Sequence, residues 1–395
     1  MIRRAALALV LGGAAGCSRT ASPPAVPTPV PAPAEPAVVP ADSTPRDPTP
    51  PRPPRVSRVA FSFTGDINLG TTTLPDGIPP DSGRGLLEAA RPHLAGDLVV
   101  GNLEGVFADT GVSEKCIDRR RLARMRRPPP EPPLRPNCYA FRTPTFLAPR
   151  LSEAGFTHLN LANNHSGDLG PAGRGSTLAA IARIGLSAYG PRGRISIDTL
   201  ARGDSMAVVG LMGFTTYPFA YNVLDIEESA SVVDSVRKLV DVLVVTFHGG
   251  REGASAVHTD TAPEFLGDEP RGDLRRWARA VIDAGADAVI GHGPHVLRGI
   301  EFHRGRMIAY SLGNFATYRG FNLQDVRGLT GVLQVELSGT GSFLTARFVP
   351  MVQRPRQGPT PDPSGAALRL LRSISAQDFG PTAARIGNDG TIVAP

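Results

Sequence analysis

Five apolar runs of this 395-residue chain end on residues that bind metals or move protons. They are Phe63-Thr64-Gly65-Asp66-Ile67-Asn68, Val100-Gly101-Asn102-Leu103-Glu104, Leu161-Ala162-Asn163-Asn164-His165, Val245-Thr246-Phe247-His248-Gly249-Gly250 and Val289-Ile290-Gly291-His292-Gly293-Pro294-His295. Asp, Glu, Asn and His are the donors that Zn, Mn, Fe or Mg take in hydrolases, and no cysteine stands among them. Each cluster alone has a plainer reading. Gly65-Asp66 suits a turn, Glu104 a helix start or surface acid, and Asn163-Asn164-His165 a capping turn. His248, at the end of an apolar strand and before two glycines, is more pointed, because a buried imidazole needs a partner. His292 and His295, three residues apart on a loop stiffened by Pro294, can converge on one centre or bridge two. Together the clusters predict a metal centre.

The elements that must position these residues follow from the hydrophobic pattern. Apolar runs read as strands at Val59–Thr64, Leu98–Gly101, His158–Ala162, Met206–Gly213, Val242–Phe247, Ala288–Gly291, Met307–Leu312 and Val332–Leu337. Helical periods fall at Gly85–Leu94, Thr145–Ala154, Gly173–Ile184 and Leu274–Ala284, with a further short candidate at Gly365–Ile374. Strands alternating with helices predict an α/β domain, and in open α/β sheets ligands gather at the carboxyl ends of strands. The polar clusters stand at those ends.

The ordered series Gly65-Asp66, Asn102-Leu103-Glu104, Ala162-Asn163-Asn164-His165, His248-Gly249-Gly250, Gly291-His292-x-Pro294-His295 and Tyr310-Ser311-Leu312-Gly313-Asn314-Phe315 resembles the CapA family of bacterial capsule and poly-γ-glutamate synthesis proteins, a branch of the calcineurin-like metallophosphoesterases. The resemblance runs from about Val59 to Met351. It implies a four-layer α/β/β/α sandwich holding one or two divalent ions (Mn, Fe or Zn) between the sheets. Carried over residue by residue, it implies Asp66 and His295 on one ion, Asn164, His248 and His292 on the other, Glu104 bridging, and His165 as the proton donor. Asn68, Asn102, Asn163 and Asn314 support the set. The chain departs from the broader phosphoesterases in having Asp66-x-Asn68 where they have Asp-x-His, and one additional residue between His292 and His295. The function implied is synthesis, release or export of an anionic surface polymer such as poly-γ-glutamate, by hydrolysis of a phosphoester or amide bond. The alternative is a non-catalytic scaffold that holds the polymer or a membrane synthase complex.

Outside the domain the composition changes. Arg3 and Arg4, the apolar run Ala5–Leu11 and the small residues Gly12–Gly16 lead into Cys17, the layout of a secretory leader ending at a lipidated cysteine. An ordinary leader with an incidental cysteine is the alternative. Of the 39 prolines, 14 fall between Pro23 and Pro54, so residues 18–57 read as a spacer too poor in large apolar groups to fold. The expected organisation is a leader over 1–17, a proline-rich linker over 18–57, the domain over 58–352 and a C-terminal extension over 353–395, lipid-anchored to the cell envelope outside the cytoplasm. The 42 basic and 36 acidic residues give a net charge of +6 without any nucleic-acid motif, which argues against a nucleic-acid partner. Cys116 and Cys138 frame an insertion carrying Lys115, Arg119, Arg120, Arg121, Arg124, Arg126 and Arg127. Outside the cytoplasm the two cysteines can pair, free thiols being the alternative, and Cys17 is then left over for lipidation. The arginines can steer a polyanion toward the site or simply be solvated.

Overall fold

The computed structural model describes residues 53–113, 115–127, 133, 135 and 138–395. The expected leader, Cys17 and the linker up to residue 52 lie outside the described residues. The last expected linker residues already belong to the fold: Val56 is buried and its N–H donates to the Met206 carbonyl.

Alternation along the strands separates two faces and so creates layers. In Leu98–Leu103, Leu98 and Val100 turn to one core while Val99 and Leu103 turn to another. In Val242–His248, Val242 and Val244 join the first of these cores, and Leu243, Val245 and Phe247 a third. The shared core lies between two sheets and is filled by Phe61, Phe63, Val209, Leu211 and Ile290 among others, each such side chain contributing about 1.5–3 kcal/mol of burial.

The first sheet runs in the order Arg385–Ile386, Thr391–Val393, Phe343–Val352, Leu329–Leu337, Val59–Asn68, Leu98–Leu103, His158–Asn160, Ser187–Tyr189. The second runs Leu297–His303, Arg306–Leu312, Ala288–His292, Val242–His248, Ser205–Thr215, Ser196–Arg202. Helices Pro149–Ala154 and Gly170–Arg183 cover the outer face of the first sheet through Leu151, Ala154, Ala180 and Ile181. Helices Ile226–Arg237 and Leu274–Asp283 cover the second, with Trp277 edge-on to Phe247 and Phe214. The fold is the expected four-layer α/β/β/α sandwich.

Three differences from expectation have local causes. Gly85–Leu94 forms a chain of three-residue turns and a short 3-10 segment rather than an α-helix, because Gly85 sits at φ +75° and Pro92 has no N–H to give. Helix Ile226–Arg237 was not expected; Asp225 caps it by accepting from the Glu228 N–H at 2.9 Å. Residues 353–395 fold into the body: helix Ala366–Phe379 places Ala367, Leu368, Leu371 and Ile374 in the core between the sheets, and Thr391–Val393 pairs with Phe343–Val352.

Candidate metal centre

Strand register draws the polar clusters together. Across the first sheet Asp66 pairs with Asn102 on one side and Asn314 on the other, and Asn102 pairs in turn with Asn160. Across the second sheet His248 pairs with His292 and with Thr215. All these pairings are parallel, so both rows, apart from Asn314 at the start of its strand, stand toward the carboxyl ends of strands. The register slips on both sides of Asp66, bending the strand at the residue that must face the centre. Gly65 permits this, since a Cβ there would stand 1.9 Å from the Gly313 carbonyl oxygen.

The centre itself is three side chains. Asp66, Glu104 and His295 each offer a ligand atom within 4.8 Å of the others. Glu104 Oε1 lies 3.6, 3.7 and 3.9 Å from Nε2 of His295, His248 and His165. These distances are too long for hydrogen bonds, but donors bound tetrahedrally at 2.0–2.2 Å to a shared cation stand about 3.5 Å apart. His295 Nδ1 is 3.0 Å from Asp66 Oδ2, off hydrogen-bonding geometry, and 3.1 Å from Asn314 Oδ1. His295 also has φ +58°, a left-handed backbone uncommon for a side-chain-bearing residue and held only where surroundings over-determine it.

The fit to a cation rests on unsatisfied atoms. Both Glu104 oxygens, Asp66 Oδ2, His248 Nε2 and Asn164 Oδ1 are buried without a hydrogen-bond partner among the described residues. Leaving such groups unpaired costs about 1–3 kcal/mol each, more for charged ones, so a cation is the economical occupant. Burial pushes the Glu104 carboxyl well above its ordinary range; His295 opposes this, and Asp66 and Glu252 add to it. Burial works against a charged His295, but the Glu104, Asp66 and Glu252 carboxylates prevail and lift it to about 10. Burial takes His248 well below the ordinary imidazole value. With both carboxylates as neighbours, the pocket is arranged for positive charge.

The other expected residues fall into distinct places. His292 sits beside His248, but its Nδ1 is 3.2 Å from the Phe247 carbonyl and its Nε2 3.0 Å from that of Thr64, so neither nitrogen is open toward Glu104. Asn164 lines the cavity in front of the centre, and its buried Oδ1 has no hydrogen-bond partner among the described residues. Asn102 donates to Asp66 at 2.8 Å and lies 3.2 Å from His248 Nδ1, joining the two rows. Asn68 donates to the Glu104 carbonyl at 3.0 Å and fixes that turn. Asn163 accepts from the His165 and Ser166 N–H groups, and Asn314 donates to the His295 carbonyl at 3.1 Å. His165 Nδ1 is 2.7 Å from Asp168 Oδ2, leaving Nε2 to face the centre.

Sequence reasoning missed three residues here. Asp168 orients His165 and stands three positions after it, a spacing that could have flagged it. Lys115 Nζ donates to Asp168 Oδ1 at 2.7 Å from a segment 53 residues away, and nothing local announces that contact. Glu252, four residues after His248, lies 4.0 Å from His295 Nε2 and is held by the fully buried Arg271 at 2.9 Å. A cavity of about 310 Å³ opens in front of the centre, lined by Asn164, His165, Glu252, His295, Phe321 and Arg327 among others.

Comparison with known proteins identifies a family. The family model described as bacterial capsule synthesis protein PGA_cap matches residues 60–319. The PGA biosynthesis protein CapA of Bacillus subtilis is 32% identical over 207 residues, 49% of this chain and 50% of that protein. The capsule biosynthesis protein CapA of Bacillus anthracis is 30% identical over 188 residues, 43% of this chain and 42% of that one. This chain thus spans about half the length of the curated relatives it matches. Among solved structures, a 5′-nucleotidase precursor from Thermus thermophilus overlaps with a TM-score of 0.39 and 15% identity, covering 81% of this chain and 58% of that one.

Proposed function

The chain belongs to the bacterial capsule synthesis family PGA_cap, and from that premise we propose that it is a metal-dependent hydrolase acting on an anionic capsule polymer such as poly-γ-glutamate, in its synthesis, release or export. In this reading it works outside the cytoplasm, anchored through lipidated Cys17 beside a membrane polymer synthase. The observation that carries the catalytic part is the set of buried, unpartnered donors on Asp66, Glu104, His248 and Asn164, with an oriented His165 at the edge of the same cavity. A scaffold that only clamps polymer needs neither.

Asp66, Glu104 and His295, with His248 and Asn164 completing the donors, would hold a divalent ion (Mn, Fe or Zn), which would supply Lewis-acid polarisation of a phosphoryl or carbonyl oxygen and water activation near neutral pH. His292 joins that set only by releasing one of its carbonyl partners. The chain's own groups do the rest. Asp168 accepts from His165 Nδ1 and so fixes the tautomer, leaving Nε2 as the atom that gives a proton to the leaving group. Burial holds the His165 pKa down, Asp168 opposing and Lys115 adding to the effect, which makes its protonated form a readier donor. Arg327 at the cavity wall offers a fork for carboxylate or phosphate substituents.

The test is hydrolysis of a chromogenic phosphodiester and of poly-γ-glutamate by the purified chain with added Mn²⁺. Turnover of either, reduced about 10²–10⁴-fold in His165→Ala with the fold retained, is expected. Metal binding without turnover of either substrate would leave the scaffold reading in its place.

A further inference from the structure

Two segments leave the Cys116–Cys138 disulfide and both end on the same imidazole. On one side Lys115 directly precedes Cys116. Its Nζ donates to Asp168 Oδ1 at 2.7 Å and to the Asn164 carbonyl at 3.0 Å, and lies 3.3 Å from His165 Nδ1. On the other side Phe141 follows Cys138 by three residues. Its N–H donates to Asp168 Oδ2 at 2.7 Å, and its ring lies 4.4 Å, centroid to centroid, from that of His165. Both oxygens of the buried Asp168 are therefore occupied by residues that flank the crosslink. His165 takes what remains of Oδ2, at 2.7 Å from its Nδ1.

The crosslink also closes the base of the insertion. The Arg135 N–H donates to the Cys116 carbonyl at 2.8 Å, and the Asp118 N–H to the Pro133 carbonyl at 2.7 Å. Beyond that base Arg119, Arg120, Arg121, Arg124, Arg126 and Arg127 are all exposed. A lysine side chain loses much rotamer freedom when fixed, and here the backbone that delivers it is held by a single covalent tie.

We propose that Lys115 is a positioning residue for His165, and that the Cys116–Cys138 disulfide is the brace that keeps Lys115 and Phe141 on the Asp168–His165 pair. Reducing the disulfide then loosens the imidazole without touching the Asp66–Glu104–His295 centre. The catalytic consequence rests on the reading of His165 as proton donor given above, whereas the placement of the imidazole does not.

The experiment is ¹H–¹⁵N correlation of histidine-labelled full-length chain, oxidised and after phosphine reduction, with His165 assigned through His165→Gln. Reduction, or the Cys116→Ser/Cys138→Ser pair, should move or broaden the His165 ring signals while those of the distant His93 and His303 stay in place. Lys115→Met should do the same with the disulfide intact, and Lys115→Arg should restore the oxidised spectrum. In the hydrolysis assay, reduction should lower kcat about ten- to a hundredfold with KM within twofold, the signature of a misplaced group rather than lost binding. Unchanged His165 signals on reduction and in Lys115→Met would overturn the brace. Should the oxidised chain hydrolyse neither substrate, the hydrolase reading falls, and the imidazole signals alone decide the brace.

Discussion

Two kinds of buried charge cluster lie in this domain, and they treat their polar atoms in opposite ways. Around Arg298, both guanidinium ends reach Glu264 at 2.8 and 2.6 Å and Nε donates to the Ala256 carbonyl at 2.7 Å. Nearby, Glu301 accepts from Tyr310, from Thr382 and twice from Arg279. Around Glu104, by contrast, neither carboxylate oxygen has a hydrogen-bond partner, and His248 Nε2 and Asp66 Oδ2 share that condition. The first kind of cluster closes within the chain and locks the 249–272 excursion and the C-terminal segment in place. The second is left open toward something the chain does not itself contain. Satisfied buried charge marks architecture; unsatisfied buried charge, gathered from both sheets, marks a binding centre.

The contrast can be broken from either side. The largest effect is expected at the closed cluster: Arg298→Ala strands a buried Glu264 and should cost about 3–5 kcal/mol in denaturant unfolding. At the open cluster a divalent ion should stabilise instead, by about 2.7 kcal/mol at a hundred times its Kd, and the Asp66→Ala/His295→Ala pair should abolish that gain. Metal content by mass spectrometry, falling from one or two equivalents to none in the same pair, checks the assignment directly. Without metal, Glu104→Gln should raise stability by about 1–3 kcal/mol, because burial disfavours that charge by more than His295 offsets it. An equal loss of stability would place Glu104 with the architectural charges.

Acidification sharpens the contrast because the two carboxyls shift in opposite directions. Burial alone would raise Glu301, but Arg279, Tyr310 and Thr382 hold it below its ordinary range. Its contribution is therefore present above the unfolded carboxyl pKa and lost as pH falls through the folded value. Glu104 is raised, so its contribution is present below the unfolded carboxyl pKa and lost as pH rises through the folded value. Tm measured against pH for the metal-free chain should show Glu301→Gln less stable than the wild type at neutral pH and Glu104→Gln more stable, both gaps closing in acid. The smallest effect, about 1 kcal/mol, is expected from Asn68→Ala, which frees the Glu104 carbonyl but leaves the side chains of the centre in place.

Much of the centre was legible because its residues stand near the end of, or just beyond, strands of unmistakable apolar character. Asp66, Glu104, His248 and His295 converge because parallel register aligns the carboxyl ends, and the order of the strands along the sequence carries that information. His292 illustrates the limit: its type and spacing suit a ligand, yet which carbonyls its ring meets depends on how closely the two sheets approach. Lys115 lay beyond reach for a different reason, since a contact across 53 residues through a disulfide-closed loop leaves no periodic trace. In the fold, Gly173–Ile184 and Leu274–Ala284 announced themselves by apolar spacing. Helix Ile226–Arg237 buries only Ser229, Val233 and Val236, too thin a stripe to stand out from its polar surroundings. In the segment 353–395 the apolar residues of Gly365–Ile374 announced a helix able to pack on the body, but not which core it enters.

The core that helix enters governs how the domain can form. Leu371 and Ile374 plug the same inter-sheet core that Phe61 and Phe63 enter near the other end of the described chain. The core behind the Val59–Asn68 strand is closed only when helix Ala366–Phe379 and the Thr391–Val393 strand have joined it. Without them the sandwich presents an open apolar slot and an unpaired strand edge, so the domain cannot be assembled from its N-terminal part alone.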